Sequence, residues 1–405
     1  MAKSQNQAGA LALVLLLGIA VLFNYTDRGA IGIAAPLMIS ELRLDPEAFG
    51  IVLSAFFWVY APVQLIVGWL VDRFSVYRLL AAGVFLWAAA TLAMGFVAGF
   101  GMLLLFRVLL GIGETIAFPG ASKIITRYVP DEHRGMANAA LALGIALGPA
   151  IGTLAGGLIL AAHGWRAIFF AFGGGTLLWL LPWQMVVRRR ERPADKAPGS
   201  RVPVRELLGK WPLWSMSIAH MASNYVFYFL LGWLPLFLTR SRGLPIGEMT
   251  FVATLGYAAQ AASALGFGYI SDWSTRRGFS EATVRRSMMI GGQLLAAAAV
   301  FGLAYQHTNT GLALVLCVAG VASGALSLNT YAVAQMFAGP RATGTWVGIQ
   351  NAIGNLSGIF GPILRGLIVQ KAGYPSACIV AAAIAAAGAI WWIIGVPQIR
   401  EVELD

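Results

Sequence analysis

Four charged residues interrupt apolar stretches of this sequence. Asp27 and Arg28 lie in the run Asn24-Tyr25-Thr26-Asp27-Arg28, inside an apolar segment near the N-terminus. Arg107 and Glu114 lie in a later segment, seven residues apart, which in a helix is two turns on one face and about 10 Å along the axis. A charge at membrane depth costs about 2.5–3.5 kcal/mol on insertion scales, so such groups face a protein interior or a watery cavity and by default indicate function.

The two carboxylates are the candidate proton carriers. A buried carboxyl beside a guanidinium can load and release a proton near neutral pH, because burial and a neighbouring cation act on it in opposite directions. Arg28 and Arg107 stay charged and present planar forks that match a carboxylate, so we predict that they bind an anion. Counted from the outer ends of the segments, Asp27, Arg28 and Arg107 share one depth, and Glu114 lies deeper. This predicts a proton path from Asp27 with Arg107 towards Glu114; the alternative is a set of structural ion pairs between helices.

The composition requires that these charges be positioned by membrane-spanning helices. The chain has 405 residues, of which 59% are hydrophobic and 11% charged, whereas soluble domains carry about 25% charged residues. A lipid-embedded backbone must satisfy its own hydrogen bonds, which predicts an all-α fold. Twelve apolar segments are long enough to span a bilayer: 8–38, 48–71, 77–97, 99–122, 135–162, 165–187, 212–239, 247–270, 286–306, 309–338, 344–369 and 375–397.

The basic residues predict the orientation. The net charge is +11, but Lys and Arg fall mostly in short loops between segments, which argues for topology rather than nucleic-acid binding. Only five of the 28 lie in loops on the side opposite the termini: Arg43, Arg166, Arg240, Arg242 and Lys371. Both termini and the long central loop are therefore predicted to be cytoplasmic.

An internal repeat divides the chain into halves. Gly68-x-x-x-Asp72 ends segment 2 and Gly268-x-x-x-Asp272 ends segment 8, an offset of 200 residues. Two halves of six segments at one offset predict two pseudo-symmetric six-helix bundles. We expect an N-terminal bundle at 1–187, a basic cytoplasmic linker at 188–211 and a C-terminal bundle at 212–405.

The loop after segment 2 resembles the signature of the major facilitator superfamily. Gly68-x-x-x-Asp72-Arg73 with Arg78 matches it, with Ser75 where the motif usually has Gly. The resemblance implies the major facilitator fold and a gating role for charges at the cytoplasmic helix ends, through interdomain pairs and helix-end contacts. The predicted gating residues are Asp72, Arg73, Arg78, Asp272 and Arg276.

A narrower resemblance is to the anion:cation symporter family of sugar-acid and organic-anion carriers. It rests on Asn24-Tyr25-x-Asp27-Arg28, on Arg107-x-x-x-Gly111-x-Gly113-Glu114, and on Trp165-Arg166. It implies a proton-coupled symporter importing a small organic anion, with Asp27 and Glu114 protonatable and Arg28 and Arg107 facing the anion.

The same resemblance fixes our remaining expectations. We expect a monomer in a bacterial inner membrane whose partners are an organic anion, protons and lipid, with no nucleic acid, metal or cofactor and no enzymatic activity. An antiporter or exporter is the alternative, because Gly144-x-x-x-Gly148-Pro149 resembles a motif common in antiporters.

Neutral polar residues predict where substrate hydroxyls bind. Tyr25 and Tyr60 lie in the charged half at similar depth, and the second half has no acid at the matching place. The predicted substrate-binding residues of the second half are Tyr225, Tyr228, Gln260, Ser327, Asn329, Tyr331, Asn351 and Asn355. Interhelical hydrogen bonding is the alternative for each of these eight.

Arg365 and three histidines are predicted to lie at the boundary of the membrane rather than in the site. Arg365 is predicted to snorkel to the outer surface, with an outer gate or an extra anion contact as alternatives. His163, His220 and His307 are predicted to lie at the membrane interface.

Overall fold

The protein is described by a computed structural model over residues 2–128, 131–187 and 203–404. Within the helices, the description leaves out the side chains of residues 2–10, 65, 68–69, 71–73, 126–128, 131–136, 138–139 and 340–341. The side chains of the predicted gating residues Asp72 and Arg73, and most of the predicted linker, 188–202, therefore lie outside the described parts.

Helices make up the described chain. Those before the linker are α1 (Ala2–Glu41), α2 (Pro46–Arg73), α3 (Val76–Met94), α4 (Phe100–Glu114), α5 (Ala117–Tyr128), α6 (Asp131–His163) and α7 (Trp165–Val187). Those after it are α8 (Val204–Leu208), α9 (Trp211–Leu236) with a π-helical turn at Phe237–Ser241, α10 (Ile246–Arg276), α11 (Glu281–Tyr305), α12 (Asn309–Gly354) and α13 (Leu356–Ile394).

The long helices α12 and α13 contain three of the predicted segments. The backbone turns inside α12 at Gly339 (φ 61°) and inside α13 at Gly373 (φ 77°), conformations that glycine adopts without steric cost. These turns fall between the predicted segments 309–338, 344–369 and 375–397. The second predicted segment in this region, 344–369, therefore begins in α12 and ends in α13.

The number of spans agrees with the twelve predicted. Ten stretches of the described chain are long and apolar enough to cross a membrane, and one of them, Ala342–Ile394, has 53 residues and turns at Gly373. That stretch is long enough for two crossings. The more polar α10, with 31 residues, supplies the remaining span.

One helix break was not predicted. Segment 99–122 is divided after Glu114, and α5 begins at Ala117. Pro119 has no backbone N–H and is tolerated only in the first turn of a helix, which accounts for a new helix starting here. Thr115 donates its hydroxyl to the carbonyl of Ile112 at 2.6 Å, which satisfies an acceptor at the end of α4.

Residue contacts cluster into two compact units. The first comprises Met1–Leu44 and Ala55–Pro198, and the second Asp45–Ser54 and Gly199–Asp405. In the first, α1 packs on α6 and α7, and α3 packs on α4 and α7. In the second, α10 packs on α12, α11 on α12 and α13, and α9 on α12 and α13. Each unit is described separately below.

Candidate functional site

In the first unit, α1 presents three polar residues on two faces. Asn24, Asp27 and Arg28 have 0%, 1% and 6% of their surface exposed. Residues four apart share a helix face, whereas consecutive residues do not. Arg28 and Asn24 therefore project close together, and Asp27 points about 100° away from Arg28.

Arg28 is paired with Glu114 of α4. Its Nη2 and Nε both donate to Oε2 of Glu114, at 2.6 and 3.0 Å, and Nη2 also lies 3.5 Å from Oδ1 of Asn24. The pair is almost completely buried, with 5% of the Arg28 and none of the Glu114 side chain exposed. Glu114 is therefore in direct contact with Arg28, a pairing that the sequence did not predict, and its predicted position deeper in the membrane stays a prediction.

Aromatic rings surround the Arg28 guanidinium. Its Cζ lies 5.2 Å from the ring centre of Tyr25, 4.9 Å from Phe56 and 5.0 Å from Tyr60. Rings within about 6 Å of a cation attract it, the more so when both are desolvated. The structure thus brings the predicted residues Tyr25, Arg28 and Tyr60 together.

Arg107 reaches the same cluster through Phe56. It is 2% exposed, and its Cζ lies 5.1 Å from the Phe56 ring centre. Its charge interacts with those of Glu114 and Arg28. Two buried guanidinium groups and one carboxylate are therefore concentrated at one place between α1, α2 and α4.

Asp27 has different neighbours from those expected. Its Oδ2 accepts hydrogen bonds from Nε1 of Trp87 at 3.1 Å and from the hydroxyl of Thr176 at 2.9 Å. Both donors are neutral and buried, one on α3 and one on α7. These partners were not expected, and the predicted proton path from Asp27 with Arg107 towards Glu114 stays a prediction.

Glycines on α4 allow this close assembly. A Cβ at Gly111 would overlap the carbonyl oxygen of Phe56, and a Cβ at Gly113 would lie 2.6 Å from the backbone N of Trp87. Both distances are too short for a real Cβ contact. The Gly-x-Gly-Glu sequence therefore seats Glu114 by letting α4 approach the backbones of α2 and α3.

The glycines of α6 serve a similar purpose against α1. A Cβ at Gly144 would lie 2.7 Å from the carbonyl oxygen of Gly18, and one at Gly148 would lie 2.7 Å from Cβ of Tyr25. Thr26 also donates its hydroxyl to the carbonyl of Gly148 at 3.1 Å. The motif fixes α1, and hence Arg28, in place.

The second unit contains a chain of phenol and amide groups. The Tyr228 hydroxyl lies 2.5 Å from Oδ1 of Asn355, Nδ2 of Asn355 donates to Oδ1 of Asn351 at 3.0 Å, and the Tyr331 hydroxyl donates to that same oxygen at 3.0 Å. We call Tyr228, Asn355, Asn351 and Tyr331 the amide–phenol chain. Four predicted substrate-binding residues are thus connected.

The other predicted polar residues of this unit lie apart from that chain. Asn329 is fully buried and accepts from Arg285 at 3.0 Å, which is the interhelical bonding stated as the alternative. Ser327 is exposed and donates to the carbonyl of Gly324 in its own helix. Gln260 is buried and lines a small cavity with Tyr257 of α10.

Two residues expected at the membrane boundary are buried instead. His220 is 5% exposed, with its ring 5.8 Å from that of Tyr331 and packed on Gly354. Arg365 is fully buried and donates from Nη2 to the carbonyl oxygen of Tyr225. The prediction that Arg365 snorkels outward is wrong, because helix side chains lean towards the helix N-terminus, here towards the middle of α9.

The described gating residues lie on exposed helix ends. Arg78 is exposed, and its backbone N–H is capped by the Ser75 hydroxyl at 3.4 Å. Arg276 donates from Nε to the backbone carbonyl of Asp272 at 3.2 Å, within α10. Their predicted gating role stays a prediction.

Several site residues were missed or not assigned a role by sequence reasoning. Asn24 was part of a quoted motif, but Trp87, Thr176 and Phe56 were not singled out. Trp87 and Thr176 are hydrogen-bonding groups inside apolar helices, and in a membrane such a group needs a partner. That signal was available, although its partner could not be read from the sequence.

Comparison with known proteins gives a consistent result. Residues 17–283 and 279–403 match the Major Facilitator Superfamily. A probable galactarate/D-glucarate transporter, GudP, of Escherichia coli is 30% identical over 430 residues, which cover 97% of this chain and 94% of that protein. A hexuronate transporter of Bacillus subtilis is 28% identical, covering 90% of this chain and 89% of its own.

A plant protein and a solved structure extend the comparison. A probable chloroplastic anion transporter of Oryza sativa is 30% identical, covering 94% of this chain and 67% of that protein. The crystal structure of a bacterial homologue of the human lysosomal transporter Spinster, inward-facing and occupied, superimposes with a TM-score of 0.81 at 21% identity. It covers 95% of this chain and 96% of its own, and at this identity it supports the fold alone.

Proposed function

The chain belongs to the major facilitator superfamily and is a membrane transporter, and on that premise we propose a proton-coupled symporter that imports a small organic anion by alternating access. The substrate class is a sugar acid or a related carboxylate. The relatives named as galactarate/D-glucarate, hexuronate and anion transporters support this class.

The observation that carries the proposal is the buried pair of Arg28 and Glu114. Glu114 Oε2 accepts from Nε and Nη2 of Arg28, and these two N–H groups form a fork that would also grip a substrate carboxylate. Substrate and Glu114 therefore compete for one guanidinium. Protonation of Glu114 removes its negative charge and releases Arg28 for the anion.

Charge balance also couples anion binding to proton uptake. With both acids ionised, Asp27 and Glu114 offset Arg28 and Arg107, so the four buried groups together are neutral. An added anion would leave an uncompensated charge at membrane depth, which is costly. One proton taken up with one carboxylate restores neutrality, so binding of the two is mutually favourable.

Asp27 is the second proton carrier in this proposal. Its partners Trp87 and Thr176 are neutral donors, so its protonation does not require an ion pair to break. It lies next to Arg28 in sequence but on another face of α1. Asp27 should therefore affect proton coupling, and its direct effect on anion binding should be smaller than that of Glu114.

Hydroxyl recognition is assigned to neutral groups. Tyr25 and Tyr60 lie against Arg28 in the first unit. In the second unit the amide–phenol chain, with Gln260, offers donors and acceptors suited to a polyhydroxy acid. Ser327 and Asn329 are given no role in binding.

Cell location and assembly complete the proposal. We place the chain as a multi-pass monomer in a bacterial inner membrane, with the linker 188–211 joining bundles at 1–187 and 212–405. The basic residues near both termini and in the central loop favour a cytoplasmic location for these parts.

The test is uptake into proteoliposomes that are inside-negative and acidic outside. The wild-type protein should accumulate D-glucarate, galactarate or a hexuronate only when the proton gradient is imposed. Asp27→Asn and Glu114→Gln should abolish accumulation and leave equilibrium binding in detergent, because an amide imitates the protonated acid. Glu403→Gln, at an exposed carboxylate, is the matched control and should transport normally.

Two outcomes would contradict the proposal. Full gradient-driven accumulation by both Asp27→Asn and Glu114→Gln would exclude coupling through these acids. Transport that depends on preloaded internal anion and ignores the proton gradient would establish the antiporter alternative. Because Gly144 and Gly148 serve close packing of α6 on α1, their presence does not favour either direction.

A further inference from the structure

Arg365 is the buried cation that the proposed proton coupling does not use. It lies on α13 in the second unit, and none of its surface is exposed. An arginine stays charged even when buried. A guanidinium inside a membrane helix bundle therefore requires compensation from its surroundings.

The compensation within the described chain is incomplete. Nη2 of Arg365 donates to the carbonyl oxygen of Tyr225, and Cζ lies 4.1 Å from the Tyr225 ring centre and 5.7 Å from that of Phe229. Among the described residues, Nε and Nη1 have no hydrogen-bond acceptor, and no carboxylate forms a salt bridge with Arg365. Buried donors of a charged group are seldom left in this state without a functional reason.

The immediate surroundings add another donor. The Tyr225 hydroxyl is buried, interacts electrostatically with Arg365, and has no other hydrogen-bond partner in the described chain. Gly361 lies alongside, and a Cβ there would be 3.0 Å from Nη2 of Arg365 and 3.2 Å from Cδ2 of Tyr225. The missing side chain at 361 lets the guanidinium and the Tyr225 ring pack directly against α13. An anion site needs available hydrogen-bond donors and no adjacent negative charge. Nε and Nη1 of Arg365 and the Tyr225 hydroxyl supply such donors among the described residues.

We propose that Arg365 and the hydroxyl of Tyr225 form a second carboxylate-binding site, within the second unit. The ligand class is a small organic carboxylate, so the site rests on the proposed function and deepens it. The chain then has two places for carboxylate groups, one at Arg28 and one at Arg365. Arg365 is a binding residue here, and Gly361 a positioning residue that lets the guanidinium and the Tyr225 ring lie against α13.

The experiment measures equilibrium binding to the full-length protein in detergent, with no gradient. Three probes are used. Galactarate is a dicarboxylate, galacturonate is a monocarboxylate, and chloride, added as its sodium salt, is an inorganic anion. Arg365→Met keeps the length and apolar stem and removes the donors. Loss of charge-assisted hydrogen bonds should weaken galactarate binding about 10- to 100-fold. Tyr225→Phe should weaken it about 3- to 10-fold.

A second set of variants isolates the site. In Arg28→Gln, whose first anion site is disabled, residual carboxylate binding should remain and should disappear on adding Arg365→Met. Arg285→Met is the matched control, because Arg285 is already paired with Glu281 and Asn329 in the same unit, and it should bind normally. If Arg365→Met does not fold, Arg365→Lys and Tyr225→Phe provide the same measurement.

The outcomes separate this inference from the proposed function. Wild-type affinities for both carboxylates in Arg365→Met, or in Arg365→Lys and Tyr225→Phe, would overturn the second site whatever the proton coupling. An equally strong Arg365-dependent effect of chloride would overturn the assignment to carboxylates. Failure of proton-driven uptake, with Arg365-dependent binding intact, would remove the symport proposal and leave the site.

Discussion

Arg28 and Arg365 are both buried arginines that face aromatic rings, but they differ in counter-charge. Arg28 has Glu114 at 2.6 Å and three rings within 5.2 Å. Arg365 has a backbone carbonyl and two rings, and no described carboxylate. In our proposal a proton on Glu114 controls access to Arg28, whereas no carboxylate among the described residues pairs with Arg365. The comparison suggests that one unit makes anion binding depend on pH and the other does not.

The largest effect is expected from Glu114→Gln on the pH dependence of binding. In the wild type, an anion that needs Glu114 protonated should lose affinity as pH rises, by up to about tenfold per pH unit. The amide cannot ionise, so binding to Glu114→Gln should be flat with pH. Titration calorimetry at several pH values measures this, and an unchanged slope in the variant would show that Glu114 does not control Arg28.

The next effect concerns the guanidinium fork. Arg28→Lys keeps the charge but loses planar donation from Nε and Nη2 and stacking against Tyr25, Phe56 and Tyr60. Affinity for a sugar acid should fall about 10- to 100-fold. Arg107→Lys should act in the same direction. If both variants bind with wild-type affinity in a thermal-shift titration, neither arginine grips the substrate.

A third change would make the second unit resemble the first. Phe229 lies 5.7 Å from Cζ of Arg365, so Phe229→Glu would give that arginine a carboxylate. Binding that depends on Arg365 should then weaken about tenfold at neutral pH and recover on acidification. Phe229→Gln, of equal length without charge, is the control. Equal behaviour of the two variants would show that Arg365 binds no anion.

A smaller effect separates the two interpretations of buried amides. Asn355→Ala breaks the amide–phenol chain and should weaken sugar-acid affinity about 3- to 10-fold. Asn329→Ala removes the acceptor of Arg285 and should lower thermal stability without changing affinity. Both the sugar-acid affinity and the melting temperature are measured for each variant. A loss of affinity in Asn329→Ala, with unchanged affinity in Asn355→Ala, would reverse the two assignments.

The smallest effect is expected at Asp27. Trp87→Phe removes one of its two hydrogen bonds, and Thr176→Val removes the other. Each should reduce stability by about 1 kcal/mol and leave substrate affinity close to that of the wild type. Denaturation in detergent measures the first quantity, and a large loss of affinity would place Asp27 in the anion site after all.

The architecture could be predicted from the sequence because each membrane helix is marked by the length of its own apolar segment. Apolar length predicts the spans, and the turns at Gly339 and Gly373 fall where a loop was expected. The charged residues of the site could also be identified, since Asp27, Arg28, Arg107 and Glu114 stand out in apolar surroundings.

The pairing of those residues could not be predicted, because it depends on how each helix is rotated. Depth was estimated by counting residues, which ignores the length of an arginine side chain and its lean towards the helix N-terminus. That omission misplaced Arg365 and left the contact between Arg28 and Glu114 unpredicted. The partners of Asp27 lie on helices 60 and 149 residues further along the chain, and only the folded unit brings them together.

The sequence separation of Arg28 and Glu114 has a consequence for biosynthesis. They are 86 residues apart, so at 5–20 residues per second α1 must remain in the membrane for about 4 to 17 s before its partner has been made. Asp27 waits longer, because Thr176 follows it by 149 residues. During this interval the insertion machinery holds a helix whose charged groups have no partners yet. If α1 entered the lipid before α7 had been translated, those groups would lie in the membrane without their partners.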